Sequence, residues 1–442
     1  MQQFLGTVLL RDEIISLLKK NGLVEPCYSK LLDYVIELFQ TQGLGSDYYG
    51  YHNVEHELEV TYVTLLAAQW YSLLGYFTKD DLKYLYVTAL LHDFDPEKNV
   101  DKPHEEGVIR FIKGDKKVQL LLKEAGIEID IIIALVLRTT FPWAGELKEK
   151  AMQQIEESLS LPNTFKDSPD EKEHYKKLGW FLSVADRISG YALGDFSKAM
   201  ELAKKNAHAL GWHPYFIVRR SVSFFEDLLN NESEMCEEVL RSLPKTMRKA
   251  FMDNVLSFMR LRQREIEIKA SLVYDNVKLV PTIDSGRRRL DDNFIDTLFA
   301  IYQELPTPLQ FNKNNFRESI KDPSTVVNTL RLGNENGEII GFAKGGPLEN
   351  YELQQKIKDK NYGLFNTVFQ EPLSLKMGYW GQKGGREMRL LFTMLAQAKG
   401  YKYLTSFALR EVIQKRIERN EKIEFVQKFD PERWDYYRLK LT

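Results

Sequence analysis

Residues 51–66 read YHNVEHELEVTYVTLL, and two later stretches share their chemistry: LLHDFD at 90–95 and SVADRISGY at 183–191. Histidine is scarce, 7 among 442 residues, yet His52 and His56 stand four apart. A helix over 51–66 would put both imidazoles on one face, a turn apart. His92 and Asp93 close the apolar run YLYVTALL, where an imidazole beside a carboxylate is costly to bury without a partner. Asp186 follows WFLSVA, a second apolar helical stretch that carries a carboxylate toward the interior. Taken singly, each has an ordinary structural role: a surface His pair, an Asp capping a turn, an Asp paired with Arg187. Taken together, three imidazoles and two carboxylates on separate helices are the donor types that hold a hydrolytic divalent ion, with one position left for water or substrate.

The set YHNxxH, then HD, then a later Asp resembles the motifs of the HD-domain metallophosphohydrolases, the class I cyclic-nucleotide phosphodiesterases among them. The resemblance implies an all-α helical bundle over residues 1–270. It implies His56, His92, Asp93 and Asp186 as ligands of a first metal, Asp93 as a bridge to a second, and His52 as the general acid that protonates the leaving oxygen. The cofactor would be one or two divalent ions; mixed imidazole and carboxylate donors suit Mn, Fe, Zn, Ni or Co, and a second position suits Mg. The substrate would be a small-molecule phosphoester or a nucleotide. After the HD pair the chain departs from the phosphodiesterase pattern: in HDFDPEKNVDKPHEEG, at 92–107, Asp95 keeps an acid but Pro96 stands where a further His is expected. No purine-clamping glutamine can be assigned, so phosphoester hydrolysis is better supported than a cyclic nucleotide as substrate. His104 reads either as an extra ligand or phosphate contact, or as a helix-start residue. Arg138, in ALVLRTTFPW, reads either as a phosphate contact or as a partner for the carboxyl end of its own helix.

Beyond about residue 270 the texture changes. VYDNVKLVPTI reads as a strand, DNFIDTLFAIYQEL as a helix, and TVVNTLRLGNENGEIIGFAKGG as two strands joined at NENG. FNTVFQEPLSLKMGYW is strand-like, GQKGGRE is a glycine-containing loop, MRLLFTMLAQAKG is a helix, and YKYLTSFAL and DYYRLKL are strands. This order, across 276–442, resembles the GNAT acyltransferase fold and makes 271–442 an α/β domain after the helical one. The resemblance implies acetyl-CoA as a cofactor, its pyrophosphate held by backbone amides of the loop at Gly384 and Gly385 and by the following helix's amino terminus. The family's loop pattern fits in neither register: one leaves Trp380 and Lys383 at positions for Gln or Arg and Gly, the other leaves Glu387 at a small position. Glu371 is a candidate base, and Tyr436 or Tyr437 a candidate acid. The connection PLENYELQQKIKDKNYG, at 347–363, reads as a cover for an acceptor site or as a surface insertion.

Composition fits a folded chain of two or three domains, 43% hydrophobic and 28% charged. A formal net charge of −2 points neither to nucleic acid nor to an anionic membrane as main partner, and the basic run Arg287–Arg289 is followed by Asp291 and Asp292. Cys27 and Cys236 stand far apart with no ligand-like spacing, so no disulfide framework is expected and a reducing, cytoplasmic setting is the default. IDIIIALVL is too short to span a bilayer. Two rival readings belong to other classes: a sensor whose metal site holds a nucleotide without turnover and biases the second domain, and an acyltransferase regulated by the helical domain. An intact His52 beside intact ligands favours turnover. The oligomeric state is open.

Overall fold

The computed structural model describes residues 7–41, 52–97, 104–161, 168–209, 214–284, 286, 288–305, 309–353, 357–382, 384–428 and 434–441. Lys383, on which the loop registers turned, and Arg287 lie outside the described residues. The chain forms two compact units, one of Met1–Asn206 with Arg220–Phe258 and one of Ala207–Arg219 with Met259–Thr442.

The first unit is helical. It contains α1 (Thr7–Lys20), α2 (Pro26–Thr41), α3 (Val54–Leu73), α4 (Lys79–Leu91), α5 (Glu105–Gly114), α6 (Lys116–Glu124), α7 (Ile129–Arg138), α8 (Gly145–Ser160), α9 (Pro169–Ala192), most of α10 (Phe196–Ala209) and of α11 (Ile217–Asn231), α12 (Ser233–Ser242) and the first half of α13 (Lys245–Tyr274). Three of these form the centre. His56 to Thr61 of α3, Tyr84 to Leu91 of α4 and Leu178 to Ala185 of α9 are buried with hardly a break, as expected of helices packed on all sides rather than along one stripe. Their starts are fixed locally. Asn53 caps α3, its side chain accepting from the amides of Glu55 and His56 at 3.0 and 3.2 Å. Thr78 and Asp81 form a reciprocal capping box on α4. Ser168 with Pro169 in the first turn opens α9.

The second unit is built on a mixed sheet of β1 (Leu279–Thr282), β2 (Val326–Leu332), β3 (Ile339–Pro347), β4 (Thr367–Gln370), β5 (Ser374–Leu375), β6 (Tyr403–Leu409), β7 (Ile423–Lys428) and β8 (Trp434–Lys440). The strand order is β1-β2-β3-β4-β6-β8-β7, with β5 also on β3. The NENG segment does join β2 to β3 as an antiparallel pair. The strand-like stretch 365–380 is two short strands: the Glu371 amide still donates to the Lys344 carbonyl of β3 at 3.0 Å, and the chain then steps out at Pro372 and Leu373 and rejoins β3 at Ser374. β4 runs parallel to β6 over only Thr367 to Phe369. A parallel neighbour needs a crossover, and α16 (Gly384–Ala398) supplies it. α14 (Asp292–Tyr302), α15 (Phe316–Lys321) and α17 (Arg410–Glu418) complete the unit. Its core joins Ile295, Leu298, Leu330, Phe342, Met388 and Phe392 across sheet and helices.

Candidate metal centre

The expected donors do converge, though not in the way a single helical face would bring them. α3 begins at Val54, so His52 lies before the Asn53 cap and outside the helix. Its ring still stands edge-on to that of His56, centroids 5.8 Å apart, because the extended cap residue turns the chain back over the first turn. His56 is in that first turn. His92 is the C-cap of α4, immediately after its last helical residue, and Asp93 follows it. Asp186 projects from the buried half of α9.

His56 Nε2 lies 3.3 Å from Asp93 Oδ2 and 3.2 Å from Asp186 Oδ1. His92 Nε2 lies 3.5 and 3.7 Å from the same two oxygens. His56, His92 and Asp93 can each offer one donor atom with all three within 4.8 Å of one another. His52 Nε2 is farther, 4.0 Å from Asp93 Oδ2. The imidazoles of His56 and His92 are buried, whereas the side chains of Asp93, Asp186 and His52 keep 17, 19 and 15% of their surface. The cluster is therefore closed on the imidazole side and open on the carboxylate side.

The electrostatics follow from burial and pairing. Burial alone would lower the pKa of His56, but hydrogen bonds to Asp186 and Asp93 outweigh it and raise the value to about 10. His92 is likewise raised against its burial by Asp93 and Glu57. Burial would raise Asp93 and Asp186, yet the surrounding imidazoles hold both well below the usual carboxylate range. The donor set thus concentrates negative charge that protons on the imidazoles compensate, and a divalent cation would take the place of those protons. One atom tests this fit directly. His92 Nδ1 is engaged by the Ala89 carbonyl at 3.0 Å and Glu57 Oε1 at 3.3 Å, while its buried Nε2 has no hydrogen-bond partner and faces the two carboxylates. With Nδ1 directed at the Ala89 and Glu57 oxygens, exchange of the Nε2 proton for a metal ion would leave the Nε2 lone pair facing the site, as a metal ligand needs.

Glu57 is the residue that sequence reasoning missed. It is 1% exposed, contacts His92 as above, accepts from the amide of Asp93 at 3.4 Å, and is pushed up by burial. Glu59, two residues on, is also buried and pairs with Lys198 of α10. The signal was available: two carboxylates inside an otherwise apolar helix require partners.

The structure places the remaining expected residues elsewhere. Arg187, the neighbouring partner considered for Asp186, donates to Asp227 at 2.6 Å. Arg138 is buried, holds Glu232 through two contacts of 3.1 Å, reaches Ser183 Oγ at 3.3 Å and stacks on Trp143 at 4.0 Å. It lines a cleft of about 1070 Å³ with Trp143, Trp180 and Glu232, and none of the clustered His and Asp residues lines that cleft. That cleft is not where the donor atoms meet. His104 is the N-cap of α5 with an exposed side chain that makes no cap bond. Its amide donates to Asp95 Oδ2 at 3.0 Å, and Asp95 Oδ1 accepts from Glu97, so the acid after the HD pair fastens the loop to α5.

In the α/β unit, Gly384 opens α16, and a Cβ there would sit 2.4 Å from Leu330 Cδ2. A side chain there would have to displace the Leu330 methyl on β2, whereas Gly385 has no neighbour closer than 3.6 Å. Glu371 is not a free base. It is buried, pairs with Lys344, and accepts from Tyr302, Tyr351 and Asn312 at 3.0, 2.9 and 3.1 Å. Tyr436 donates to Asp359 at 2.6 Å, and Tyr437 accepts from Arg416.

No family model matches the chain, and no curated protein matches it. Among solved structures it is similar to an N-acetyltransferase from Staphylococcus aureus Mu50, at 16% identity and a TM-score of 0.27 over 37% of this chain and 99% of that one. It is also similar to an aminoglycoside 6'-N-acetyltransferase complexed with coenzyme A, at 12% and 0.26 over 37% and 97%. A GNAT-family acetyltransferase from S. aureus Mu50 is similar at 11% and 0.24, over 38% and 99%. These likenesses assign no role to any residue here.

Proposed function

We propose that the helical unit is a metal-dependent phosphohydrolase acting on a phosphoester bond of a nucleotide or related small molecule, and that the α/β unit is a GNAT-like domain that binds acetyl-CoA. The observation that carries the first part is the meeting of His56, His92, Asp93 and Asp186 with both imidazole Nε2 atoms turned toward the two carboxylates. A divalent ion held there supplies Lewis-acid stabilisation and an activated water. The protein's own groups do the rest. Glu57 and the Ala89 carbonyl fix the His92 ring, so that its Nε2 needs no reorientation on loading. Asp93 and Asp186, whose side chains keep 17 and 19% exposure, form the edge from which a phosphoryl group would approach. His52, off the helix and partly exposed, is held near Asp93 as an acid for the leaving oxygen. His56→Ala or Asp93→Ala should lose both metal and hydrolysis, whereas His52→Ala should keep the metal and lower turnover by about 10²–10⁴-fold. Wild-type hydrolysis in all three variants would remove the assignment.

Acetyl-CoA binding is supported by the strand order, by the short β4–β6 parallel pair, and by the start of α16 at Gly384. Gly385→Glu tests it, because the site has space for a side chain yet a carboxylate there would repel a pyrophosphate. Calorimetry should show binding lost in the variant, and binding equal to wild type would refute the loop's role.

A further inference from the structure

The connection between β3 and β4 ends in a segment that the proposed activities leave unused. Tyr362, Leu364 and Phe365 are 50, 59 and 72% exposed, three large apolar side chains within four residues. They do not sit on a loose loop. The carboxylate of Glu349 accepts from the amides of Gly363 and Phe365 at 3.0 and 2.8 Å. Tyr362 and Leu364 donate to the carbonyls of Asp359 and Asn361 in successive turns. Asp359 is itself buried against Tyr436 and Arg438, and Asn361 reaches Thr367 Oγ1 at 3.0 Å. Phe365 is held at φ 51°, a left-handed conformation that disfavours a side chain of this size. The fold thus maintains an unfavourable backbone state while turning apolar groups into water.

The surroundings of this tip are basic. Lys358 and Lys360 precede it and are exposed. The turn after α16 lies beside it, since the Lys402 amide donates to the Asn366 carbonyl at 2.9 Å, and this turn adds exposed Lys402, whereas the Lys399 ammonium donates to the Pro323 carbonyl at 2.7 Å. Glu352 is the exposed acid on the described part of the connection, and Glu349 is occupied with the backbone. The near-neutral charge of the whole chain conceals this local excess. Because β4 starts at Thr367 and runs away from the tip toward Glu371, the tip lies at the end of β4 opposite the one that leads on to α16.

We propose that residues 358–366, with the 399–402 turn, form a docking tip for an anionic membrane surface. Tyr362, Leu364 and Phe365 enter the interface, and Lys358, Lys360 and Lys402 face the lipid headgroups. An exposed apolar tip flanked by lysines suits a deformable, negatively charged interface. The test uses the full chain and sedimentation with vesicles of phosphatidylcholine, alone or mixed with phosphatidylserine. The wild type should bind the mixed vesicles, release as salt is raised, and leave the neutral ones in suspension. Lys358→Ala with Lys360→Ala should weaken binding about thirtyfold. Leu364→Ser with Phe365→Gly should weaken it at least as much, while the glycine at φ 51° keeps the loop's conformation, so an unchanged thermal midpoint confirms an intact fold. No binding to mixed vesicles, equal binding to neutral ones, or wild-type binding by the Leu364/Phe365 variant would each overturn the proposal.

Discussion

The His92 ring carries the account at the level of single residues. Its Nδ1 is held by Glu57 and a carbonyl, and the value of that contact lies in orientation, because a ring free to rotate would present the wrong nitrogen half the time. Glu57→Ala should therefore weaken metal retention about 10- to 100-fold in a chelator competition, and Glu57→Gln, which keeps an oxygen for the Nδ1 proton, should restore most of it. Equal retention in all three proteins would make Glu57 a packing residue only. In the α/β unit, Glu371 and Lys344 are a buried pair, each 1% exposed, in a network with two tyrosines. Glu371→Ala strands a buried ammonium and should cost about 3–5 kcal/mol in urea unfolding. The five clustered residues were legible in sequence because rare polar types interrupt apolar runs. The partners of Glu371 and Arg138 were not, since Lys344 and Glu232 lie far from them along the chain and nothing local marks the pairing.

At the scale of elements, the helix starts were readable and the helix junctions were not. The HxxxH spacing suggested one helical face, whereas Asn53 caps the helix and leaves His52 outside it; an Asn between two histidines is itself the signal for that cap. A second junction makes a pH prediction. His174 of α9 lies 2.8 Å from Asp81, the capping-box acid of α4. The hydrogen bond to Asp81 raises His174, so its stabilisation is complete below about pH 6.5 and fades as pH rises through the raised folded value. Burial pushes Asp81 up, but His174 and Thr78 hold it below its ordinary value, so its share is present above about pH 3.8 and is lost as pH falls through the depressed one. The thermal midpoint of His174→Gln should fall furthest below wild type near about pH 5–6 and converge on it in alkali; a pH-independent gap would show that the ion pair contributes nothing. Packing at Gly107 is similarly exacting, because a Cβ there would lie 2.1 Å from Asp95 Oδ1. Gly107→Ala should displace the carboxylate that ties the HD loop to α5 and destabilise by about 1–3 kcal/mol.

For the whole molecule, the change from helical to mixed texture was visible in the sequence near residue 270, while the division between compact units falls at Phe258 and Met259, inside α13. Periodicity reports where a helix ends, and a domain can end before its helix does. The sheet was legible where strands were flanked by turns, as at NENG. It was not legible at β7 and α17, where REVIQKRIERNEKIEF is charged throughout and its strand lies outermost in the sheet. No helix among the described residues is long and apolar enough to cross a membrane. If the helical unit is organised around an ion, loading it should slow amide exchange most in α3, α4 and α9, which bring the donors together; uniform slowing, or none, would mean that the cluster is not a ligand set.

The measurement that bears most directly on the central claim is elemental analysis of the purified protein beside its His92→Ala variant, each assayed for metal-dependent hydrolysis of a generic phosphodiester and a nucleotide panel. The account predicts one or two divalent ions per chain in the wild type, and loss of both metal and hydrolysis in the variant. A wild type that holds no metal and turns nothing over, even after reconstitution with Mn or Fe, would contradict it.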